Sequence, residues 1–388
     1  MTSEWRTIRT ADFIDFNPRL SLKKGAIATK VAMDKLKPFS KKISETEKAE
    51  FNGGAKFCNG DTIMARITPC LENGKTAFVD MLDDGEIGFG STEFIVMRAK
   101  AGISDPQFVY YTAINPTFRN VAIKSMVGSS GRQRVQQSIL EELELSVPDL
   151  DEQRRIGAFL ARLDEKIALN NRINDNLLAQ AQSLFTQRFI TDDIEGREKP
   201  LYDFADYING AAFKPGECGE RGLPIIKIVE LKNGITDSTK YFDGFKGEKY
   251  LIQDKDILFS WSGNPDTSID IFIWTHGRAI LNQHTFNVKS NTGHHWFTFL
   301  MLKHFKPEFS RIASNKQTTG LGHVTANDLK RLTFIFNETA IETFEQEVSP
   351  FMETIYSNMI ENQRLELLRD SLLPRLMSGE IEVSTVQP

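Results

Sequence analysis

The chain of 388 residues has little cysteine, no long apolar run and no histidine in its first half. Its cysteines, Cys58, Cys70 and Cys218, lack the paired spacing of a disulfide framework or a thiolate zinc site, so we expect buried thiols. The histidines do not stand at ligand spacing either. No apolar run reaches the length of a membrane helix, and the opening MTSEWRTIRT lacks the apolar centre of a secretory signal. These absences favour a cytoplasmic protein without a metal site or a membrane segment.

Signals that are typical of enzymes are also weak. Residues Asn115–Phe118 resemble the Asn-Pro-Pro-Phe/Tyr loop with which amino-methyltransferases hold the target amine, but the second proline is missing. The glycines of Gly85–Gly90 precede a strand-like STEFIVMR instead of the helix that a nucleotide-binding turn requires. Pro148-Asp149 with Asp164-Glu165-Lys166 fits the loose spacing of a metal-dependent nuclease carboxylate set. Asp164 and Lys166, however, lie two residues apart on a predicted helix, so their side chains diverge by about 200° and cannot converge on one site. We therefore predict no catalytic or cofactor-binding residue in this chain.

The sequence does contain a long internal repeat. Mostly apolar residues spaced four and three apart begin at Ile156, and the same series recurs 188 residues later from Phe344. The first series is Ile156, Leu160, Leu163, Ile167, Asn170, Asn174, Leu177, Ala181 and Leu184, and the second is Phe344, Val348, Phe351, Ile355, Asn358, Asn362, Leu365, Arg369 and Leu372. This period forms the seam of a coiled coil, in which an inward asparagine fixes pairing and register. Two long paired helices are therefore predicted, and the asparagines that fix their register are Asn170, Asn174, Asn358 and Asn362.

The repeat extends upstream of each helix. Ser129–Pro148 and Thr318–Asn337 both read as a small-residue turn, a valine, a short helix and an alternating strand. GDTIMAR matches KDILFSW, and STEFIV matches QHTFNV, which aligns Thr92 with His284. The predicted order is domain, helix, domain, helix. The predicted boundaries are residues 1–150 for the first domain, 151–190 for the first helix, 191–199 for a linker, 200–340 for the second domain, 341–380 for the second helix and 381–388 for a tail.

Charge is distributed unevenly along the chain, whose net charge is −5. Residues 1–150 hold 20 Lys and Arg against 19 Asp and Glu, whereas residues 341–388 hold 3 against 9. Residues 106–140, 271–307 and 309–327 contain no acid. Proteins that bind a phosphate backbone need positive, acid-free surface with polar side chains beside it that read base edges. The pattern predicts a nucleic-acid-binding loop in each domain, and the alternative is a solvated loop that lacks acid by chance.

The candidate side chains lie in loops that correspond under the repeat. In the first domain they are Lys124, Ser129, Arg132, Gln133 and Arg134, and in the second they are Lys316, Gln317, Thr318 and His323. Turns after the matching strands add Arg66, Lys75, Ser262 and Asn264. His284 has two interpretations. It could form a structural turn before a core phenylalanine, or it could be a polar tip that faces DNA.

Four segments resemble the specificity subunits of type I DNA restriction–modification systems. They are VPDLDEQRRIGAFLARLDEKI at 147–167, LLRDSLLPRLMSGEI at 367–381, GSTEF at 90–94 and LNQHTF at 281–286. The resemblance covers essentially the whole chain. It implies an α+β fold with two target recognition domains of mixed strands and short helices, separated by two long antiparallel coiled-coil helices with a pseudo-twofold internal repeat. Each domain would read one half of a bipartite, asymmetric site in double-stranded DNA.

The same resemblance implies partner subunits. Two modification subunits would methylate adenine, and optional restriction subunits would cleave DNA. S-adenosylmethionine, ATP and Mg would be bound by those partners, while this chain would hold no cofactor and catalyse nothing. Two alternatives stay open, namely a degraded self-contained DNA adenine methyltransferase and a coiled-coil protein scaffold.

The helices carry more apolar residues than the seam uses. These residues are Phe159, Leu178, Phe185, Phe189, Met352, Met359, Leu368 and Leu373. Exposed apolar patches usually mark interaction surfaces. We therefore expect these residues to form an exposed docking surface for the modification subunits.

Overall fold

The computed structural model describes residues 4–43, 45–190, 196–317 and 321–386. The chain divides into two compact units, of which the first is Met1–Leu169 with Asn362–Pro388 and the second is Asn170–Glu361. Both units mix strands with helices. Among the described residues, no helix is long and apolar enough to span a lipid bilayer.

The first unit is built on two four-stranded sheets. Its strands are β1 (Arg6–Arg9), β2 (Ile14–Phe16), β3 (Ile27–Val31), β4 (Glu47–Glu50), β5 (Ala55–Phe57), β6 (Thr62–Ala65), β7 (Thr76–Phe78), β8 (Gly88–Gly90), β9 (Phe94–Ala99) and β10 (Glu144–Val147). The sheets have the orders β2-β9-β6-β7 and β4-β3-β8-β5, and β1 pairs with β10. Successive side chains of a strand face opposite sides, so β6 contributes Met64 to one hydrophobic cluster and Ile63 to another. Strand β6 is therefore buried on both faces.

The second unit repeats this topology. Its strands are β11 (Arg197–Pro200), β12 (Ala205–Asn209), β13 (Leu223–Ile226), β14 (Tyr241–Phe242), β15 (Leu251–Ile252), β16 (Ile257–Ser260), β17 (Ser262–Gly263), β18 (Asp270–Ile273), β19 (Ala279–Leu281), β20 (Thr285–Ser290), β21 (Gly322–His323) and β22 (Thr333–Phe336). The sheets have the orders β12-β20-β16-β18 and β14-β13-β19-β15, with β11 paired to β22 and β17 to β21. Both parallel pairs, β3 with β8 and β13 with β19, occupy the same place. The internal repeat predicted from the sequence is thus confirmed.

Helices connect and cover these sheets. They are α1 (Thr10–Phe13), α2 (Pro106–Ile114), α3 (Pro116–Lys124), α4 (Gln137–Glu141), α5 (Leu150–Phe189), α6 (Ile228–Asn233), α7 (His295–His304), α8 (Lys306–Asn315), α9 (Ala326–Arg331) and α10 (Glu338–Met377). Short 3₁₀ helices cover Met33–Lys35, Leu201–Phe204, Pro215–Glu217, Glu248–Tyr250 and Val383–Thr385. The two long helices, α5 and α10, have 40 residues each.

Both long helices begin at the same kind of cap. The side-chain oxygen of Asp149 accepts from the backbone N–H of Glu152 (2.9 Å). The side-chain oxygen of Asn337 accepts from the N–H groups of Thr339 (3.0 Å) and Ala340 (3.3 Å). A capping side chain satisfies N–H groups that the first helical turn leaves without a partner. The caps stand at equivalent places in the repeat, so the helix starts are encoded locally in each half.

The long helices pack against each other within each unit. All seam positions of the two series are buried or half-buried. In the second unit Arg188 pairs with Glu347 (2.8 Å), and the Asn358 amide donates to the Asn174 carbonyl oxygen (2.8 Å). Residue numbers rise along one helix as they fall along the other, so the helices are antiparallel. The predicted pair of coiled-coil helices is confirmed.

The predicted exposed docking surface on these helices is largely wrong. Phe185, Phe189 and Met352 lie in the core of the second unit, and Leu373 lies in the core of the first. Three more, Phe159, Leu178 and Met359, are partly buried and also pack on those cores. Leu368 alone among the eight is exposed, at 38%. The reason is that each helix packs on its globular domain as well as on the other helix, which the heptad pattern does not reveal.

An acid on strand β18 stabilises the second unit. Asp270 accepts from the ammonium groups of Lys303 (2.7 Å) and Lys306 (2.6 Å), which lie on α7 and α8. Burial by itself raises the pKa of Asp270, but the two lysines outweigh it and hold the pKa below its ordinary value. The carboxylate therefore ties one edge of the sheet to the helices that cover it.

Candidate nucleic-acid interface

In the first unit, three chain segments meet where strand β6 ends. The backbone N–H of Arg66 donates to the carbonyl oxygen of Glu93 (2.9 Å), and the N–H of Val135 donates to the carbonyl oxygen of Arg66 (2.9 Å). Ile67 forms an antiparallel bridge with Arg134. Together Arg66, Ile67, Glu93, Arg134 and Val135 make up the first corner.

A tight hairpin loop adjoins the first corner at the end of an acid-free stretch. Val127 and Arg134 exchange both backbone hydrogen bonds (3.0 and 2.9 Å), and the Arg132 N–H donates to the Ser129 carbonyl oxygen (2.9 Å). Gly128 has a φ of +135°, and a Cβ there would lie 2.9 Å from the Arg132 carbonyl oxygen. Glycine is the residue that tolerates both conditions. The loop thereby presents Ser129 and Arg132 to solvent.

The candidate cations of the first unit differ in what they contact. Arg66 donates to the carbonyl oxygen of Val135 (3.3 Å), and the Lys75 ammonium donates to a backbone carbonyl oxygen 2.8 Å away. Both side chains therefore hold loops together. Lys124, at the end of α3, and Arg132 are exposed and have no ion pair with the described residues. These two are therefore the candidate cations of this unit that no described acid neutralises.

Arg134 forms an ion pair with Glu93, a residue that was not among the candidates predicted from the sequence. Its Nη2 lies 2.7 Å from Glu93 Oε1, and its Nε donates to both carboxylate oxygens at 3.0 Å. The hydrogen bond and the charge of Glu93 raise the pKa of Arg134. Side-chain exposure is 46% for Arg134 and 24% for Glu93, so the pair is open to solvent. Gln133, the neighbouring candidate, is half-buried, and its carbonyl oxygen accepts from the Thr68 N–H (3.0 Å).

The second unit builds the same corner from different side chains. The N–H of Trp261 donates to the His284 carbonyl oxygen (3.2 Å), the N–H of Val324 donates to the Trp261 carbonyl oxygen (2.8 Å), and Ser262 pairs with His323. We call these five residues the second corner. In the order Trp261, Ser262, His284, His323 and Val324, they correspond to Arg66, Ile67, Glu93, Arg134 and Val135.

The hydrogen-bond register corrects the sequence alignment by one residue. His284 stands in the place of Glu93, whereas the sequence pattern paired it with Thr92. In β6 and β9, Ala65 pairs with Phe94, and in β16 and β20, Ser260 pairs with Thr285. The matching segments STEFIV and QHTFNV are too short to fix the register of their strands, so an alignment by sequence similarity could be wrong by one residue.

The second corner is aromatic and carries no ion pair among the described residues. The Trp261 ring stacks on Phe286 (5.5 Å between centroids) and meets the His284 ring edge-on (5.3 Å). The Trp261 indole N–H donates to the Asn209 side-chain oxygen (3.1 Å). His284, whose φ is +77°, and His323 are exposed. The structure thus brings Ser262, His284 and His323 together around a tryptophan that the sequence did not single out.

The remaining candidates of the second unit lie outside this corner. The Asn264 side-chain oxygen caps a turn by accepting from the Asp266 N–H (3.0 Å). Lys316 forms an ion pair with the buried Asp328 (2.5 Å). Burial raises the pKa of Asp328, but its hydrogen bonds, led by that from Lys316, hold the pKa below its ordinary value. Gln317 is exposed, and Thr318 lies outside the described residues.

The comparisons with known proteins agree with this duplicated architecture. The family model "Type I restriction modification DNA specificity domain" matches residues 3–179 and again residues 195–369. The chain belongs to this family. The HindI specificity subunit of Haemophilus influenzae is 23% identical over 407 residues, covering 83% of this chain and 86% of that protein. The EcoAI specificity subunit of Escherichia coli is 38% identical over 104 residues, but only 18% of that protein is covered.

A solved structure shares the fold. It is the S subunit of a type I restriction–modification system from M. genitalium, with a TM-score of 0.55 and 16% identity over 97% of this chain and 96% of that one. As a member of the specificity-subunit family, the chain is a DNA-recognition subunit and not an enzyme.

In this specificity subunit, the motifs that resembled enzyme signals have structural contacts. Asn115 caps helix α3 by accepting from the Thr117 N–H (2.9 Å). Asp164 accepts from the Tyr111 hydroxyl (2.5 Å) and pairs with Arg369 (2.7 Å). Within the part of the chain that the structure describes, no three His, Cys, Asp or Glu side chains are grouped to hold a metal ion. The capping turn explains why an Asn-Pro sequence occurs here without a target amine.

The asparagines predicted to fix the register of the long helices make polar contacts between these helices. Asn174 and Asn358 bond to each other, and the Asn170 amide donates to the Glu361 carboxylate (2.7 Å). Asn170 and Asn362 are buried. A polar pair inside an apolar seam is satisfied at one alignment of the helices, which is how it fixes register.

Proposed function

We propose that this specificity subunit recognises a bipartite, asymmetric site in double-stranded DNA, with one half-site bound by each recognition domain. It then directs adenine methylation by two modification subunits and, where they are present, cleavage by restriction subunits. S-adenosylmethionine, ATP and Mg belong to those partners in this proposal. The domain boundaries proposed are those predicted from the sequence, and the proposed location is the cytoplasm, where the DNA is.

The proposal depends on one observation: the two corners share their backbone hydrogen bonds but carry different side chains. Identical corners would select identical half-sites, which would give a palindromic target. The first corner exposes the Glu93–Arg134 pair, and the second exposes His284 and His323 beside Trp261. Side chains with different donors and acceptors select different bases. The two half-sites are therefore proposed to differ in sequence.

Phosphate contacts are proposed for the exposed cations beside the first corner. Lys124 and Arg132 have no acid partner among the described residues. A lysine or arginine that meets a phosphate displaces a condensed counterion, so each contact increases the salt dependence of binding. Gln133 stands next in the same loop and can pair bidentately with adenine. The candidate surface thus combines side chains that can contact DNA phosphates with a side chain that can contact a base edge.

Four exposed apolar side chains on the long helices support docking of the modification subunits. They are Leu169, Ile173, Leu367 and Leu368. Leucine and isoleucine on the surface of a helix gain free energy when a partner covers them. We propose these four residues as protein contacts; of them, Leu368 also belongs to the off-seam set that the sequence predicted.

The proposal is tested by expressing the chain with modification subunits and sequencing the methylated positions of the host DNA. The expected motif has two unlike half-sites and an unspecific gap. In binding assays, Arg132→Ala should reduce the salt slope by about one, while Gln133→Ala should relax a base preference without changing the slope. Lys37→Ala, an exposed lysine of the first unit outside the corner, is the control. A complex that binds all sequences equally would refute the proposal.

A further inference from the structure

The backbone hydrogen bonds of the first corner do not require the Glu93–Arg134 ion pair. The second corner makes the same backbone hydrogen bonds with His284 and His323 in those places. An exposed ion pair contributes little to stability because water competes for both groups. The side-chain pair is therefore free to serve the surface that it faces.

A carboxylate at this position works against phosphate binding. It lies beside the acid-free loop that presents Arg132, and its charge repels the DNA backbone. Glu93 can favour DNA binding only where a base donates a hydrogen bond to it. In the major groove the amino groups of cytosine and adenine are donors, whereas guanine and thymine present acceptors. Adenine also places its N7 acceptor beside the amino group, which repels a carboxylate, so cytosine is the best partner.

Arg134 is complementary to the other base of the same pair. Its Nε and Nη2 hold Glu93, and its Nη1 donates to the Arg132 carbonyl oxygen (3.5 Å), which leaves one N–H on each terminal nitrogen for another acceptor. Arginine is the commonest side chain to bind the O6 and N7 acceptors of guanine. The two acceptors of guanine lie next to the donor of cytosine in one base pair. A carboxylate and a guanidinium held side by side therefore match a C·G pair.

We propose that Glu93 and Arg134 together read one C·G base pair in the half-site bound by the first domain, with Glu93 accepting from the cytosine amino group and Arg134 donating to guanine. This inference rests on the proposed function and assigns a base-reading role to Glu93. The corresponding position of the second half-site is read by His284 and His323. The two half-sites thus differ at this position because the corners differ.

The test uses the full chain in complex with its modification subunits and a random library of double-stranded DNA. Wild type and Glu93→Gln are compared by sequencing the bound fraction. We expect Glu93→Gln to lose roughly tenfold or more of its discrimination at one C·G position. All other positions and the gap should stay as in wild type. Glu72→Gln, an exposed acid of the same unit with no ion pair to the described residues, should leave every preference unchanged.

A second variant protects the test against misfolding. Glu93→His with Arg134→His copies the side chains that the second corner accommodates, and it should lose the same C·G preference while keeping the melting temperature. If either folded variant retains every base preference, the inference is overturned, even if it binds all DNA more tightly. If wild type itself selects no sequence, the proposed function fails instead. The two failures are thereby distinguishable.

Discussion

An ion pair joins the two long helices in the first unit, whereas the equivalent residues of the second unit are apolar. Asp164 and Arg369 form an ion pair (2.7 Å) with side-chain exposures of 9% and 12%. The residues 188 positions away under the repeat are Met352 and Ala181, and both are completely buried. The same two positions of the repeat thus hold an ion pair in one unit and two buried apolar side chains in the other.

Removing one partner should cost far more than replacing both. Arg369→Ala leaves the Asp164 carboxylate with the Tyr111 hydroxyl as its hydrogen-bond donor and with the charge of Lys41, whose ammonium donates to that hydroxyl (3.1 Å). Removing one partner of a buried ion pair costs about 3–5 kcal/mol. Asp164→Met should cost less, because Arg369 keeps its hydrogen bond to the exposed Asp370 (2.8 Å). The double replacement copies the second unit. Its cost should fall to the ~1–3 kcal/mol of the hydroxyl that loses its acceptor.

Hydrogen exchange measured by mass spectrometry on residues 150–169 reports unfolding of the first unit in the full chain. The double-mutant cycle gives the coupling free energy, which we expect to be about 2–4 kcal/mol. Asp370→Asn, at the exposed partner of Arg369, is the control and should change stability by less than about 0.5 kcal/mol. The reasoning is refuted if Arg369→Ala costs under about 1 kcal/mol, or if the double variant costs the sum of the singles.

Three further outcomes are expected. Asn358→Leu should lower the free energy of unfolding by about 1–3 kcal/mol, because the Asn174 side chain loses its hydrogen bond. In a denaturant titration, Asn174→Leu combined with Asn358→Leu should regain the lost stability, because two apolar side chains then face each other in the seam. The pKa of Asp270 lies below its ordinary value in the folded state, so the Asp270 carboxylate stabilises the fold above about pH 4 and loses this effect as the pH falls through its folded pKa. The difference in unfolding free energy between wild type and Asp270→Asn should therefore shrink as the pH is lowered below about 4. Four residues inserted between Arg188 and Glu195 should, if helical, add about 6 Å and lengthen the methylation gap by one or two base pairs. An unchanged gap would mean that helix length does not set the spacing.

The helices and the repeat were predictable because their signals are local. A heptad seam depends on the spacing of neighbours along one chain segment, and Asp149 and Asn337 cap helices through residues next to them. The burial of apolar residues outside the seam was not predictable from such local signals. Phe185 and Met352 lie where each helix meets its globular domain, and spacing along a helix does not identify which neighbour covers a second face.

The corners were predictable only in outline. Short similar segments located the strands that end there, but a one-residue slip placed Thr92 where Glu93 belongs, and so the Glu93–Arg134 pair was missed. Trp261 was missed because it was taken as part of a strand end. Hydrogen bonds across the sheet fix the register, and those bonds join segments that are far apart in sequence.

Whether a cation can bind phosphate depends on its tertiary neighbours and not on how few acids lie near it in sequence. Lys316 stands in an acid-free stretch, yet it is held by Asp328 from the following helix. Arg134 stands in another and is held by Glu93. Among the described candidates, Lys124 and Arg132 are the exposed cations without an acid partner, and each is proposed to contribute about 0.9 to the salt slope. In the proposed complex the candidate cations of the first domain should therefore supply a slope of only about two. Phosphate contacts carry no direct sequence information, so sequence selection is expected to come from contacts to the bases.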